Sequence, residues 1–577
     1  MKLSSIWGEK LNENAPLPEY PRMGMQRDSY YNLNGAWEYQ ITDRRREPDS
    51  DKWKKIIVPF AVGSLLSQAE QEPVEGKALW YRKQFAYHPN TMHTWLNFEA
   101  VDMECTVFVN GMEAGTHKGG YEPFSFDISG MVKYQNALMV KCIDDSEKGL
   151  YAFGKQKTEH GGMWYTPSSG IWGTVWMEDV GEHGIQDLKI TPDYDHSKVI
   201  IDLAGDFSQA LVTIASGGHV LHSGITNDRH YEASIDNMHA WSPDDPFLYD
   251  LYVNTEDDTV RSYFGMRKIS KGIDSNGYAR IYLNDKPLFL SGLLDQGYSV
   301  DGLMTYPSDE AIRDEIAQIK GMGFNMLRKH VKIENRRWYY ACDQLGMLVM
   351  QDMPSGGYDH YDQFLMAVLP TVGFRHLKDT GNPKFGRISE GSKRRYYSEL
   401  DEMLSELYNN PCIMAWVPFN EGWGQFNAAE VTNHIRTYDR TRLIDSASGW
   451  FDQGCGDFDS IHNYFTPYHT HKDHEKRISL LSEFGGYSYA ENGHSNPKKV
   501  YGYKVFKDRL ALNQAVQELY EKKVLSNIDR GLAGCIYTQV SDIEDEVNGL
   551  FTADRKVLKI DAKKMKKINE KCIRRVK

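Results

Sequence analysis

The stretch "AWVPFNEGWG", residues 415–424, decides how this sequence is read. An apolar run ends at Pro418, which cannot donate to a strand ladder, and Asn420-Glu421 then precedes Gly422 and Gly424. A carboxylate there is either a turn residue facing solvent or an acid at the mouth of a barrel. The flanking sequence separates these readings.

From about residue 272 onward, strand and helix patterns alternate. "PLFLSG" leads to "SDEAIRDEIAQIKGMG", in which Ser308 is placed to cap a helix and Ile312, Ile316 and Ile319 share one face. "NMLRKH" precedes a helix near 334–345. "MLVMQDM" precedes, after a long loop over 354–392, the helix "KRRYYSELDEMLSELYNN". "CIMAWVPFN" precedes a helix over 427–439, and "RLIDSAS", "SIHNYF", "ISLLSEF" and "GLAGCIYTQV" complete eight strand candidates. Eight βα units over 272–577 predict a (β/α)8 TIM barrel, with the long loop as a wall of its site.

Upstream, residues 1–182 consist of short alternating segments split by turn signals, with Asn110-Gly111 forming a two-residue hairpin. They predict a jelly-roll β-sandwich. Residues 183–271 carry about seven further strand segments without a Cys-Trp-Cys pattern, which predicts an immunoglobulin-like sandwich on strand count alone.

Composition is that of a globular chain: 577 residues, 41% hydrophobic and 25% charged. Aromatics reach 12%, a content that suits β-sandwiches and sites that stack sugar rings. The net charge of −13 argues against nucleic acid as the main partner, and the basic tail "KKMKKINEKCIRRVK" reads as a solvated helix. The 7 cysteines are scattered without a CxxC pair, which predicts reduced thiols. No apolar leader or 18-residue apolar span is found, so the expectation is a cytoplasmic protein that does not enter a membrane.

In such barrels the chemistry sits where the strands end. Here those ends carry Asp295, Arg328, His330, Asp352, Asn420, Glu421, His462-Asn463-Tyr464, Glu483 and Tyr537. There is no Ser-His-Asp order, no Gly-rich phosphate loop and no spaced His/Cys set. Two carboxylates from nearly opposite strands suit glycoside hydrolysis: one attacks the anomeric carbon, the other protonates the leaving oxygen.

"FVNGMEAGTHKGGYEPFSFDIS", "WYTPSSGIWGTVWME", "NDKPLFLSG", "GFNMLRKH", "CDQLGMLVMQDMP", "WVPFNEGWG", "LLSEFGG" and "NGLFTADRKVLK" together resemble, in order, segments of glycoside hydrolase family 2. That family holds β-galactosidases, β-glucuronidases and β-mannosidases. The resemblance covers nearly the whole chain and implies a retaining exo-β-glycosidase acting on a small glycoside or oligosaccharide, without metal or organic cofactor. It implies Glu421 as acid/base, Glu483 as nucleophile and Asn420 on the sugar 2-hydroxyl. Tyr464 would hydrogen-bond the nucleophile and Arg328 would steady it. His330 reads as a substrate-shaping or core histidine, Tyr537 as sugar platform or barrel filler, and Trp164 of "EHGGMWYTPSS" as pocket closure or sandwich core. Asp295 and Asp352 are sugar acceptors or loop anchors.

Family β-glucuronidases hold the uronate with an Asn-x-Lys where this chain reads Glu546-Val547-Asn548, an acid in place of a cation. Lys329 and Lys332 are carboxylate contacts or surface lysines. A β-galactosidase-like activity is therefore the first expectation, with a uronidase or arabinosidase as alternatives. A non-catalytic carbohydrate-binding protein is the rival from another class. Family members form oligomers, so a homo-oligomer is also expected.

Overall fold

A computed structural model describes residues 3–69, 71, 75–89, 93–358, 361–371, 374–470, 473 and 476–576. Its N-terminal part is a two-sheet sandwich. A six-stranded antiparallel sheet, which includes Gly35–Asp43, Lys77–Ala86 and Gln135–Ile143, faces a four-stranded one built on His93–Phe98 and Val175–Val180. Trp37, Tyr81, Phe98, Val107 and Val140 fill the space between. The Asn110-Gly111 hairpin has both residues at positive φ (53° and 81°), the geometry a two-residue turn requires.

The next part, Ile185 to Phe264, is a second sandwich of a three-stranded and a four-stranded sheet. Its seven strands match the number expected from the sequence.

The barrel follows. Its strands are β1 (Leu290–Asp295), β2 (Met326–Lys329), β3 (Leu348–Asp352), β4 (Ile413–Val417), β5 (Leu443–Ile444), β6 (Phe458–Asn463), β7 (Ile478–Gly485) and β8 (Leu532–Thr538). They form one parallel eight-stranded sheet in the order β5-β4-β3-β2-β1-β8-β7-β6. β2, β3 and β4 are buried along their whole length, as both faces of a helix-covered barrel must be.

Helices α1 (Asp309–Gly321), α2 (Arg336–Leu345), α3 (Gln363–Thr371), α4 (Glu390–Leu407), α5 (Ala428–Tyr438) and α6 (Arg509–Leu519) surround it, and α7 (Ala562–Arg574) closes the chain. The side chain of Ser308 caps α1 by accepting from the amide of Ala311, and Ile312, Ile316 and Ile319 are buried, as the spacing predicts. α2 starts on Asn335, whose side chain accepts from the Trp338 amide.

Eight regular βα units are not found. Among the described residues no helix follows β5 or β6, and these two strands do not ladder with each other. The connection over 445–457 holds three glycines at positive φ, a backbone that does not continue a helix. Side chains and one amide bridge the seam instead. The Asp457 amide donates to the Ile444 carbonyl at 2.8 Å, and Ser460 Oγ donates to Asp445 Oδ1 at 2.8 Å.

Candidate active site

β4 ends at Val417, just before Pro418, and the chain then crosses to the β5 loop: the Glu421 amide donates to the Ser448 carbonyl at 3.0 Å. Glu421 itself sits in the left-handed region at φ +50°, a conformation that costs a non-glycine residue about 1 kcal/mol or more. Gly422, at φ +74°, continues the turn where a Cβ would lie 2.6 Å from the Phe451 ring. This packed turn aims the Glu421 side chain across the barrel mouth. From the long loop, Tyr361 Oη donates to the Glu421 backbone carbonyl at 2.7 Å, which ties that loop to the turn carrying the carboxylate.

Glu483 is presented by an irregularity in β7. Opposite β6, Ile461 pairs with Leu481 but His462 pairs with Glu483, so Ser482 is an extra residue. Such a bulge re-aims the side chain next to it. Glu483 thereby comes to face His462. A carboxylate oxygen of Glu421, a ring nitrogen of His462 and a carboxylate oxygen of Glu483 all lie within 4.8 Å of one another.

His462 Nδ1 is 2.8 Å from Glu421 Oε1, and its Nε2 is 3.4 Å from Glu483 Oε1. Arg328 Nη1 points at Nε2 from 3.4 Å. Nδ1–H faces the Glu421 carboxylate as its donor, while Nε2 lies between a donor, Arg328, and an acceptor, Glu483. Gly449 leaves room for the ring, since a Cβ there would lie 2.4 Å from it. The sequence already held the signal for His462. It stands two residues before Tyr464 at a strand end, and alternation turns both to one face. Asn463 between them faces away, toward Lys523.

Arg328, fully buried on β2, links the site. It donates to both oxygens of Asp352 (2.9 and 3.0 Å), to Glu483 Oε1 (3.1 Å) and to Asn420 Oδ1 (2.8 Å). The Arg328 contact fixes the Asn420 amide so that Nδ2 is left buried without a partner. Tyr464 Oη donates to Glu483 Oε2 at 2.5 Å, and its ring stacks on Tyr503 with centroids 3.5 Å apart. Burial pushes the Glu483 carboxyl upward, but His462, Arg328 and the Tyr464 hydrogen bond outweigh it and bring it down to about 2. Burial, with the Glu483 charge behind it, raises Tyr464 well above the ordinary tyrosine value, so it stays a donor.

The remaining candidates are distributed unevenly. His330 Nδ1 lies 2.9 Å from Asp352 Oδ2, and its ring is 4.0 Å from Glu483 Oε1. Trp164 reaches from the first sandwich to Trp423, with ring centroids 5.5 Å apart, so it stands at the barrel mouth rather than in the sandwich core. Asp352 anchors Arg328 and His330. Asp295 is held by Lys329 Nζ (2.8 Å) and the Gly297 amide (2.9 Å) and makes no hydrogen bond to the carboxylate pair.

Two expectations need correcting. Tyr537 does not face the pocket: it packs against Phe484 and Tyr520 in the outer layer, and its neighbour Thr538 reaches Tyr464 Oη instead, at 3.1 Å. Lys329 and Lys332 are not surface lysines. Both are buried on Glu334, Lys332 also donates to two backbone carbonyls, and burial lowers Lys332 to about 8.

Glu421, His462 and Glu483 also have metal-ligand spacing among the described residues. The guanidinium of Arg328 already lies against Glu483 and opposes a further cation there. All seven cysteines are unpaired thiols. Among the described residues no helix is long and apolar enough to cross a membrane.

A nearly closed eight-stranded parallel barrel, preceded by two sandwiches and carrying paired carboxylates at its strand ends, defines a three-part architecture. The sequence profile described as "Glycosyl hydrolases family 2, TIM barrel domain" matches residues 278–572, "Glycosyl hydrolase 2 galactose-binding domain-like" matches 59–169, and "Glycosyl hydrolases family 2" matches 184–267. The chain belongs to glycosyl hydrolase family 2.

A β-galactosidase of Thermoanaerobacter pseudethanolicus is 26% identical over 437 residues, 71% of this chain and 53% of that protein. One from Thermoanaerobacterium thermosulfurigenes is 24% identical over 352 residues, 57% of this chain and 44% of that protein. The chain thus spans about half the length of these relatives. Among solved structures, a β-glucuronidase of an uncultured Clostridium species superposes with TM-score 0.75 at 17% identity, covering 95% of this chain and 99% of that one. A β-galacturonidase of Eisenbergiella tayi superposes with TM-score 0.69 at 17% identity, covering 95% and 97%.

Proposed function

We propose that this protein is a retaining exo-β-glycosidase, in which Glu483 is the nucleophile and Glu421 the acid/base. The carrying observation is the spacing of the two carboxylates, with oxygens within 4.8 Å. Retaining enzymes hold their pair about 5 Å apart, whereas inverting ones leave roughly 6.5–9.5 Å for a water.

In the first step Glu483 attacks the anomeric carbon and forms a glycosyl ester. The bond to the leaving oxygen breaks, and that oxygen takes the proton of Glu421. In the second step Glu421 removes a proton from water, water attacks the anomeric carbon, and Glu483 leaves as carboxylate. The low pKa of Glu483 suits a nucleophile and leaving group that must stay ionised. Having given its proton to the leaving oxygen, Glu421 is left as a carboxylate and acts as the base in the second step.

Asn420 Nδ2, the unpartnered donor beside the pair, holds the sugar 2-hydroxyl. Tyr464 orients Glu483, Arg328 holds Glu483 and Asn420 together, and Trp164 with Trp423 and Tyr503 walls a pocket suited to a terminal sugar. A β-galactoside is the first substrate in this reading, and the relatives named β-galactosidase support it. The test is a panel of p-nitrophenyl α- and β-glycosides with Glu421→Gln and Glu483→Gln. Turnover of a β-glycoside by the wild type, lost in both variants while folding is retained, is expected. Wild-type rates in either variant refute the assignment.

A further inference from the structure

Two lysines of the first sandwich reach the barrel mouth without partners. Lys155 is only 6% exposed, yet its ammonium makes neither a hydrogen bond nor an ion pair with any described residue. Its Nζ is 5.6 Å from the centroid of the Tyr165 ring, near the outer limit of about 6 Å for a cation–π contact, so the ring satisfies it weakly. A buried ammonium without a counter-ion is costly.

The backbone fixes where this lysine sits. The amides of Phe153 and Gly154 both donate to the Ser355 carbonyl beyond β3, at 2.9 and 2.8 Å. A Cβ on Gly154 would lie 2.9 Å from the Val331 carbonyl, so the segment runs directly past the residue after His330. Burial, and next the charge of Lys155, hold His330 well below the ordinary histidine range, as expected if the ammonium lies beside that ring.

Two residues on, Lys157 is half-buried with its Nζ 3.7 Å from the centroid of Trp164, and it too has no carboxylate partner among the described residues. Trp164 in turn packs on Trp423, whose indole Nε1 is buried without an acceptor. Glu546 of the loop after β8 is engaged by other donors and makes no ion pair with either lysine. Tyr165 Oη donates to one Glu546 oxygen (2.5 Å) and Asn548 Nδ2 to the other (3.1 Å).

From Lys155, Lys157 and Trp423 Nε1, three donors without acceptors along one wall of the site, we infer an anion-recognition site for a carboxylate or sulfate ester carried by the glycoside. The inference rests on the glycosidase reading and narrows it from glycosides in general to acidic ones. It also supplies, from the other domain, the cation that Glu546-Val547-Asn548 lacks.

Calorimetric binding of galacturonate, glucuronate and galactose 6-sulfate, each against its neutral sugar, tests it without requiring turnover. Alongside it, kcat/KM is measured for the matching p-nitrophenyl β-glycosides. At least one acidic ligand should bind roughly tenfold or more tightly than its neutral counterpart. That preference should fall tenfold to a hundredfold in Lys155→Met, fall less in Lys157→Met and survive in part in Lys155→Arg. The preferred ligand separates carboxylate from sulfate. Equal binding of acidic and neutral sugars, or a preference unchanged in both methionine variants, overturns the inference. Failure to turn over any glycoside defeats the glycosidase reading, and the binding comparison then still decides the role of Lys155.

Discussion

Nδ1 of His462 lies 2.8 Å from Oε1 of Glu421, which makes this ring the direct neighbour of the proposed acid/base. The groups facing His462 are Glu421, Glu483 and Arg328, with Ser448 Oγ at 3.3 Å. Asp352, Asp445 and His330 also act on it through their charges or it on theirs. With Nδ1–H as donor, the ring holds the Glu421 carboxylate in place. Removing that contact in His462→Asn should lower kcat/KM by about tenfold or more, with circular dichroism unchanged. An unchanged kcat/KM would contradict a positioning role for His462.

Glu483 has a depressed pKa, and the sign of its pH linkage follows. Its contribution to stability is fully present above the unfolded carboxyl value of about 4.3, and is lost as pH falls through that value toward about 2. The stability difference between wild type and Glu483→Gln, from denaturant unfolding, should therefore be flat above pH 5 and change as the pH falls below about 4. A difference that changes between pH 5 and 7 would place the titration elsewhere.

Tyr464→Phe removes the 2.5 Å hydrogen bond to Glu483 Oε2 and leaves the ring stacked on Tyr503. A hydrogen bond to a charged group contributes about 1.5–3 kcal/mol, so kcat/KM should fall roughly tenfold to a hundredfold. Circular dichroism should be unchanged. A loss below twofold would mean that the hydroxyl does not steady the nucleophile.

Arg328→Met leaves Asp352 and Glu483 buried without their shared cation. Breaking a buried ion pair from one side costs about 3–5 kcal/mol, so the barrel's unfolding midpoint in urea should drop markedly. Arg328→Lys should recover only part, because one ammonium cannot reproduce the fork that reaches Asp352, Glu483 and Asn420 together. Equal stability of all three proteins would contradict the network.

Barrel and sandwiches were legible because burial is periodic: the apolar runs of β2, β3 and β4 and the Ile face of α1 are all buried as patterned. The missing helices after β5 and β6 were not, because a strand-like run such as "RLIDSAS" does not reveal what its following loop will form. Within the site, residues at strand ends could be named but their direction depended on register. Tyr537 and Thr538 differ by one position, and that step sends the ring outward and the hydroxyl inward. The bulge at Ser482 has no sequence signature, yet it sets Glu483 opposite His462. Lys155 was illegible for another reason: whether a lysine is solvated or left unpaired at a mouth between domains depends on how those domains pack.

A two-step retaining mechanism at Glu421 and Glu483 fixes the anomeric configuration of the first product. Proton NMR of a p-nitrophenyl β-glycoside hydrolysis, followed from the first minutes before mutarotation, should show the β-anomer appearing first and the α-anomer growing in later. The α-anomer appearing first would mean a single inverting displacement and would rule out Glu483 as a nucleophile that forms a glycosyl ester.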